Sequence, residues 1–217
     1  MANPMTHALL ASRRSLLKVT LASLGAAAVG LPHSAFATAV APSGLRGPVS
    51  GGSPLAVARA GLERVGAHVA QRDVVGVADF SLSSAQPRLH LVEMATGQVT
   101  SLLVAHGRGS DPEHTGWLKD FSNAPGSDAT SQGAFLTGEY YSGAHGRSMR
   151  LNGLDPTNSN ARDRGIVVHS AWYVGPEVLR SHGMLGRSEG CFAVSQADLP
   201  QVLSRLGPGR LLIATKT

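Results

Sequence analysis

At 217 residues with 42% hydrophobic side chains, the chain suits one ordinary domain with a real core plus a leader. Its 26 glycines and 12 prolines point to a turn-rich, largely β domain. The formal charge is +5, but Arg13, Arg14 and Lys18 lie in the first 37 residues, which hold no acid, so the remainder carries about +2. That field is too weak for nucleic-acid binding, and no basic aromatic-rich run supports it.

The N-terminus runs Ser12-Arg13-Arg14-Ser15-Leu16-Leu17-Lys18, then the small-residue apolar run Val19–Leu31, then Ala35-Phe36-Ala37. A charged region, a short hydrophobic region and an A-x-A site are the layout of an export signal over residues 1–37. The paired arginines resemble the twin-arginine type, whose cargo crosses the membrane folded. The apolar run falls short of the roughly 20 residues that span a bilayer, so cleavage after Ala37 is expected rather than an anchor. Contact with the membrane would then be transient, during export.

Residues 38–53 form a Pro/Gly/Ser linker, and residues 54–217 are expected to be a single domain. Helical spacing of Leu55, Ala58, Leu62, Val65 and Val69 predicts a helix over 54–72, N-capped by Ser53, with His68 on its surface. From Val74 the period shortens. Val75–Leu82, Arg88–Met94 and Gln98–His106 read as strands, with Ala95-Thr96-Gly97 as a hairpin turn between the second and third. Gly107–Ser131 is a polar stretch of a length that is usually functional or mobile in a compact domain. Ser131–Gly138 and Ser148–Gly153 read as further strands, and Leu154–Arg164 as a loop. Gly165–His169 has the continuous apolar run of a buried strand, and Gly175–Ser181 reads as a helical turn. A helix from Ser195 or Asp198 to Leu206 is stopped by Gly207-Pro208-Gly209, and Arg210–Thr215 closes the domain as a strand. There is no internal repeat and no heptad pattern.

The chemistry concentrates in Gly165–Ser195. Cys191 is the only cysteine, so no disulfide can form within the chain. An unpaired thiol in an oxidising compartment is at risk of oxidation unless it is buried or used. A packed structural cysteine and a nucleophile both stay open at this point, with Glu189 and Gly190 the less suited to an apolar niche. A nucleophilic thiol needs a nearby base, and no histidine follows Cys191. His169, at a strand end where its ring can be held in one orientation, is the candidate base. Ser170 is the candidate for fixing its tautomer. The Ser188-Glu189-Gly190-Cys191 turn could aim the N–H groups of Gly190 and Cys191 at a developing oxyanion. Arg187 could bind a carboxylate bidentately, or be a solvated surface residue. With it, Glu189, His182 and Tyr173 are counted as candidate substrate-binding residues.

The order of cysteine after histidine excludes papain-like peptidases. A sortase order, with Arg205 or Arg210 as the arginine, stays open, although the strand-like residues that precede a sortase cysteine are missing. His106, His145, His169 and His182 could converge on a metal, but there is no H-E-x-x-H and no ligand pair at short helical spacing. No metal and no cofactor are therefore expected, and a chelator should leave activity unchanged.

These residues resemble a known family. Eighteen residues separate His169 from Ser188, which opens Ser188-Glu189-Gly190-Cys191. This resembles the signature of the YkuD-type L,D-transpeptidases, a His, a gap of roughly fifteen residues, and Ser/Thr-His-Gly-Cys. Ser131-Gln132-Gly133-Ala134-Phe135 resembles the family's Thr-Pro-x-Gly-x-Phe. From Val74 onward the chain is more similar to a divergent murein branch, with matching stretches at Phe121–Ser127, His145–Ser148, Leu151–Leu154 and Gly186–Cys191. Two family positions differ: Glu189 stands for the usual histidine, and Ala193 for the usual asparagine.

The resemblance implies a mainly β fold, a sandwich-like arrangement of mixed sheet with one or two flanking helices. It implies attack by Cys191 on a peptidoglycan stem carbonyl, expulsion of the terminal D-residue, and a thioester resolved by a neighbouring stem's amine with His169 as base. The donor is the third stem residue, or the first. It also implies peptidoglycan stem peptides as partners, carbapenem-type inhibitors, and a periplasmic or cell-wall location. Water in place of the amine would give an L,D-carboxypeptidase, and loss of chemistry would leave a wall-binding module.

Overall fold

The computed structural model describes residues 52–216. The expected export signal, and the expected linker up to residue 51, lie outside the described residues.

Helix α1 (Pro54–Val65) begins where expected: the Ser53 hydroxyl accepts the Ala56 N–H at 3.2 Å, and Pro54 takes the first-turn position where its missing donor costs nothing. It ends earlier than its apolar spacing predicts. Gly66 opens a single 3-10 turn, Gly66–His68, and Val69 is already extended. The Arg72 side chain bonds the carbonyls of Gly66 and Val69, replacing the next helical turn's donors. Ala58, Val65 and Val69 are buried, and His68 is exposed.

Eight strands make one mixed sheet in the order β3-β2-β1-β8-β4-β5-β6-β7. They are β1 (Val74–Asp79), β2 (Leu89–Glu93), β3 (Val99–Leu102), β4 (Gly133–Gly143), β5 (Gly146–Gly153), β6 (Val167–Ser170), β7 (Phe192–Val194) and β8 (Leu211–Thr215). The β1–β8 and β6–β7 pairs are parallel; the other pairs are antiparallel. Parallel neighbours need a crossover rather than a hairpin. Helix α2 (Pro176–His182) lies in the β6–β7 crossover, and α3 (Leu199–Arg205) links β7 to β8. The mainly β, mixed-sheet class expected from the sequence is the class the structure has, with three α-helices among the described residues.

Alternation assigns the two faces. On one, Phe80, Phe135, Met149, Leu151, Val168, Phe192, Val194 and Leu212 form the largest buried cluster, with the Phe135 and Phe192 rings edge-to-face at 5.4 Å. On the other, Val75, Val77, Ala134, Leu211 and Ile213 pack with α1 residues Ala58 and Val65. Further along that second face, Ala193 clusters with Ala105, Ala171, Val174 and Leu185. His169 pairs in register with Ala193, so it too belongs to the second face.

Beside this cluster lies a buried polar group. Arg88 is fully buried. Its guanidinium donates to Val104 O at 3.1 Å, to Leu82 O at 2.9 Å and to His106 Nδ1 at 2.6 Å, and its Cζ stands 4.8 Å from the centre of the Phe80 ring. Burial pushes the Arg88 pKa down to about 9, opposed by Asp79 and Asp111. Arginine is only a donor, so Nδ1 of His106 is the acceptor and its proton sits on Nε2, 3.5 Å from Asp111 Oδ2. Burial, with Arg88 alongside, lowers the His106 pKa to about 3, keeping the ring neutral. Replacing Arg88 by methionine keeps apolar contact and strands three acceptors. At about 1–3 kcal/mol each, this should lower stability by about 3 kcal/mol or more. The melting temperature should fall by roughly 6–12 °C for a domain of this size, read by calorimetry.

Candidate active site

The segment that carries Cys191 is held by its neighbours rather than by its own secondary structure. Residues Ala105–Arg108 run alongside it. Ala105 N–H donates to Ala193 O at 2.8 Å, Ser188 N–H to His106 O at 2.9 Å, and Arg108 N–H to Ser188 O at 2.7 Å. The Ser188 hydroxyl bridges within the turn, accepting the Gly190 N–H at 3.2 Å and donating to Cys191 O at 2.7 Å. Gly190 has φ +109°, and a Cβ there would lie 2.7 Å from Ala129 O and 2.9 Å from Ile166 Cδ1. Only glycine fits this turn. The long polar stretch noted in the sequence is therefore the wall against which the cysteine loop is built.

His169 and Cys191 come from neighbouring segments of the chain, β6 and the bend that leads into β7. Val168 pairs with Phe192 and His169 with Ala193. The pairing ends there, and Cys191 lies in the bend just before β7 with its sulfur against the backbone of Gly165 and Val167. Cys191 is partly exposed. Its thiol donates to Gly165 O at 3.6 Å. Burial raises its pKa, the Val167 backbone opposes this, Glu189 raises it further and Arg164 lowers it. His169 Nδ1–H donates to Ser170 O at 2.9 Å, which leaves Nε2 as the acceptor nitrogen. Burial lowers the His169 pKa; the Ser170 bond opposes this, and His145 lowers it further. The resting pair is therefore a neutral thiol and a neutral imidazole.

The other expected site residues separate into two sets. Ser170 acts on His169 through its carbonyl. Tyr173 is close enough that Cys191 and Glu189, after burial, contribute to raising its pKa to about 12. Glu189 is exposed and ion-paired with Arg108 at 3.3 Å, while Arg108 also holds Asp128 at 2.7 Å. Arg187 donates to the carbonyls of Asp111 and Pro112, and with Arg108, Gly109, Ser127 and Asp128 it lines a shallow cleft. His182, at the exposed end of α2, has its Nδ1 2.7 Å from the Ser181 hydroxyl. The Gly190 N–H and the Ser188 hydroxyl serve the turn itself.

Of the four histidines considered together, only two meet. The exposed His145, in the β4–β5 hairpin turn, stacks on His169 with ring centres 4.2 Å apart, while His106 belongs to the buried arginine network. Among the described residues no group of three His, Cys, Asp or Glu side chains could hold a metal ion. Two contributions went unseen in the sequence: the His145 stack and Arg164. Arg164 is half-buried beside the cysteine turn, and donates to Ser122 O, Ser131 Oγ, Ser127 Oγ and Ala129 O. It directly precedes the apolar strand run, the only local sign that a charge is set against the sheet.

The fold and this geometry define a mainly β domain in which His169 lies on β6 and Cys191 immediately precedes its parallel neighbour β7. Residues 53–214 match the family described as the L,D-transpeptidase catalytic domain, and the chain belongs to that family. Similar solved structures include an L,D-transpeptidase from Mycobacterium smegmatis, 17% identical over 66% of this chain and 58% of that one, with TM-score 0.41. An L,D-transpeptidase from Mycobacterium tuberculosis is 19% identical over 66% and 58%, with TM-score 0.43. L,D-transpeptidase 3 from the same organism, solved with a faropenem-derived adduct, is 18% identical over 66% and 60%, with TM-score 0.43. The chain thus spans less than two thirds of the length of each of these three. A search of curated proteins found no match.

Proposed function

We propose that this protein is an exported peptidoglycan L,D-transpeptidase in which Cys191 forms a thioester acyl-enzyme and His169 moves the protons. Family membership supports the reaction class. The observation that supports the residue assignment is that His169 sits on β6, the parallel neighbour of the strand Cys191 precedes, with Nδ1 bonded to Ser170 O and Nε2 left to accept.

The reaction follows from those atoms. His169 Nε2 takes the Sγ proton as the sulfur bonds to the donor carbonyl carbon. The neutral resting pair makes this a general-base step rather than attack by a standing ion pair. Collapse breaks the carbonyl–nitrogen bond to the terminal D-residue, and the imidazolium gives its proton to that amine. An acceptor amine then attacks the thioester, His169 takes its proton, and the carbon–sulfur bond breaks to return the thiol. With the Gly190 N–H engaged by Ser188, the Cys191 N–H is the oxyanion donor this reading retains. Tyr173, Glu189, Arg187 and His182 are proposed to contact substrate, and the export signal would deliver the enzyme to the periplasm or cell wall.

Incubation of residues 38–217 with tetrapeptide muropeptides should give crosslinked dimers by mass spectrometry, and Cys191→Ala should give none. Trimmed tripeptides alone would assign the carboxypeptidase reaction. Binding to the wall with no product from wild type would overturn the enzymatic reading. A carbapenem, whose strained carbonyl offers the same thiol an acyl group, should add one drug mass to wild type and nothing to Cys191→Ala.

A further inference from the structure

Three buried or clustered features take no part in the bond-making steps: the Arg88–His106–Asp111 network, the cleft beside Arg108 and Arg187, and Arg164. The first is a packing device, and the second opens between side chains already joined to partners. Arg164 is different, because its charge is held in place by groups that do not neutralise it.

We propose that Arg164 is a positioning residue that promotes ionisation of Cys191, its guanidinium held beneath the Gly190–Cys191 turn by neutral oxygens. This rests on the reading of Cys191 as the nucleophile. The four bonds from Arg164 go to two backbone carbonyls and two serine hydroxyls, at 2.6–3.2 Å. They orient the fork and leave its full positive charge. Its Nη2 is 3.2 Å from where a Cβ on residue 190 would sit, and the next residue's carbonyl, Gly165 O, receives the Cys191 thiol at 3.6 Å. The chain at 164–165 therefore meets the cysteine twice, with a carbonyl that holds the thiol and a cation that favours the thiolate.

The other charges around the sulfur explain why such a cation is needed. Glu189, on the same turn, disfavours the thiolate, and its partner Arg108 is shared with Asp128. From β6 and the β4–β5 hairpin come His169 and the stacked His145; beyond β6 comes Tyr173, protonated at neutral pH. Arg187 is turned to the carbonyls of Asp111 and Pro112. Asp128 acts on Arg164 from a distance. Glu189 and Arg164 thus bracket the thiol with opposite effects, and burial adds to that of Glu189. The acid stands where the family resemblance has a histidine, so Arg164 offsets a charge that this chain itself introduces.

The test is the pH profile of iodoacetamide alkylation of Cys191, followed by intact mass. It needs no muropeptide and no turnover, so it reads Arg164 whether or not the transpeptidase reading stands. Arg164→Gln should shift the profile to higher pH, slowing alkylation about 10-fold at pH 7, one pKa unit being a factor of ten. The plateau at high pH should stay unchanged. Arg164→Lys, which keeps the charge, should remain within about 3-fold of wild type on the same scale. Glu189→Gln should shift the profile the opposite way. A wild-type profile in Arg164→Gln, or an equal loss in Arg164→Lys and Arg164→Gln, would overturn the proposal. If Arg164→Gln lacks a cooperative melt, Arg164→Lys decides alone: a preserved profile supports the electrostatic role, and a shift of a full unit overturns it.

Discussion

His169→Gln is expected to slow acylation of Cys191 by a carbapenem about 10²–10⁴-fold at pH 7, the usual contribution of a positioned general base. The size follows from the resting state. Burial and Glu189 hold the Cys191 thiol in its neutral form, and burial holds the His169 imidazole neutral. Attack in wild type therefore moves the thiol proton to His169 Nε2 as the carbon–sulfur bond forms. Without an imidazole, only the small spontaneous thiolate fraction reacts. Its rate should rise tenfold per pH unit up to the thiol pKa, so the deficit should shrink as pH increases. An intact-mass time course from pH 6 to pH 10 reads both effects. Equal rates for variant and wild type at pH 7 would remove His169 from the chemistry. A deficit that stays constant with pH would assign it to positioning alone.

His145→Ala separates the stacking contribution from the base. The exposed ring covers His169 at 4.2 Å and lowers its pKa further. Removing it should raise the His169 pKa and move the acidic limb of the same time course to higher pH, with a smaller change at the plateau. No movement of that limb would mean the stack is only a packing contact.

Much of the fold was legible because period and punctuation agree locally. The apolar run Ile166–Val168 makes a strand buried on both faces, Gly207-Pro208-Gly209 ends α3, and Ala95-Thr96-Gly97 turns β2 into β3. The chain breaks this consistency where a contact distant in sequence decides. Helix α1 stops before Gly66, where Arg72 folds back onto the carbonyls of Gly66 and Val69. Strand β4 continues past Gly138, through a bulge between Thr137 and Tyr140, because β5 pairs with it as far as Gly146. For the site, His169, Ser170 and Cys191 could be named from residue type and order alone. Their coming from neighbouring segments depends on β6 and β7 being parallel neighbours, a pairing that no local pattern announces. Arg164 and His145 act across 27 and 24 residues of chain, on Cys191 and His169 respectively; Arg164 sits in no motif, and the His145–Ser148 stretch does not show which residue its ring meets.

Gly190→Ala should reduce carbapenem acylation about 100-fold or more while leaving a folded, less stable protein. At φ +109° any side chain is strained, at about 1–3 kcal/mol. The added Cβ would also lie 2.7 Å from Ala129 O, and that carbonyl cannot retreat freely because it accepts Arg164 Nη2 at 2.6 Å. The turn must move instead, carrying Sγ and the Cys191 N–H with it, and displacements of about 1 Å cost on the order of 10² in rate. Gly107→Ala approaches from the other side, its Cβ meeting Gly190 Cα and N at 2.7 Å and Asp128 O at 2.2 Å. It should therefore lower acylation too. Iodoacetamide, which needs no oxyanion donor, should still alkylate both variants. Acylation lost with alkylation kept identifies misalignment of the turn as the cause. Wild-type acylation in Gly190→Ala would mean that the turn's geometry is not what prepares Cys191 to react.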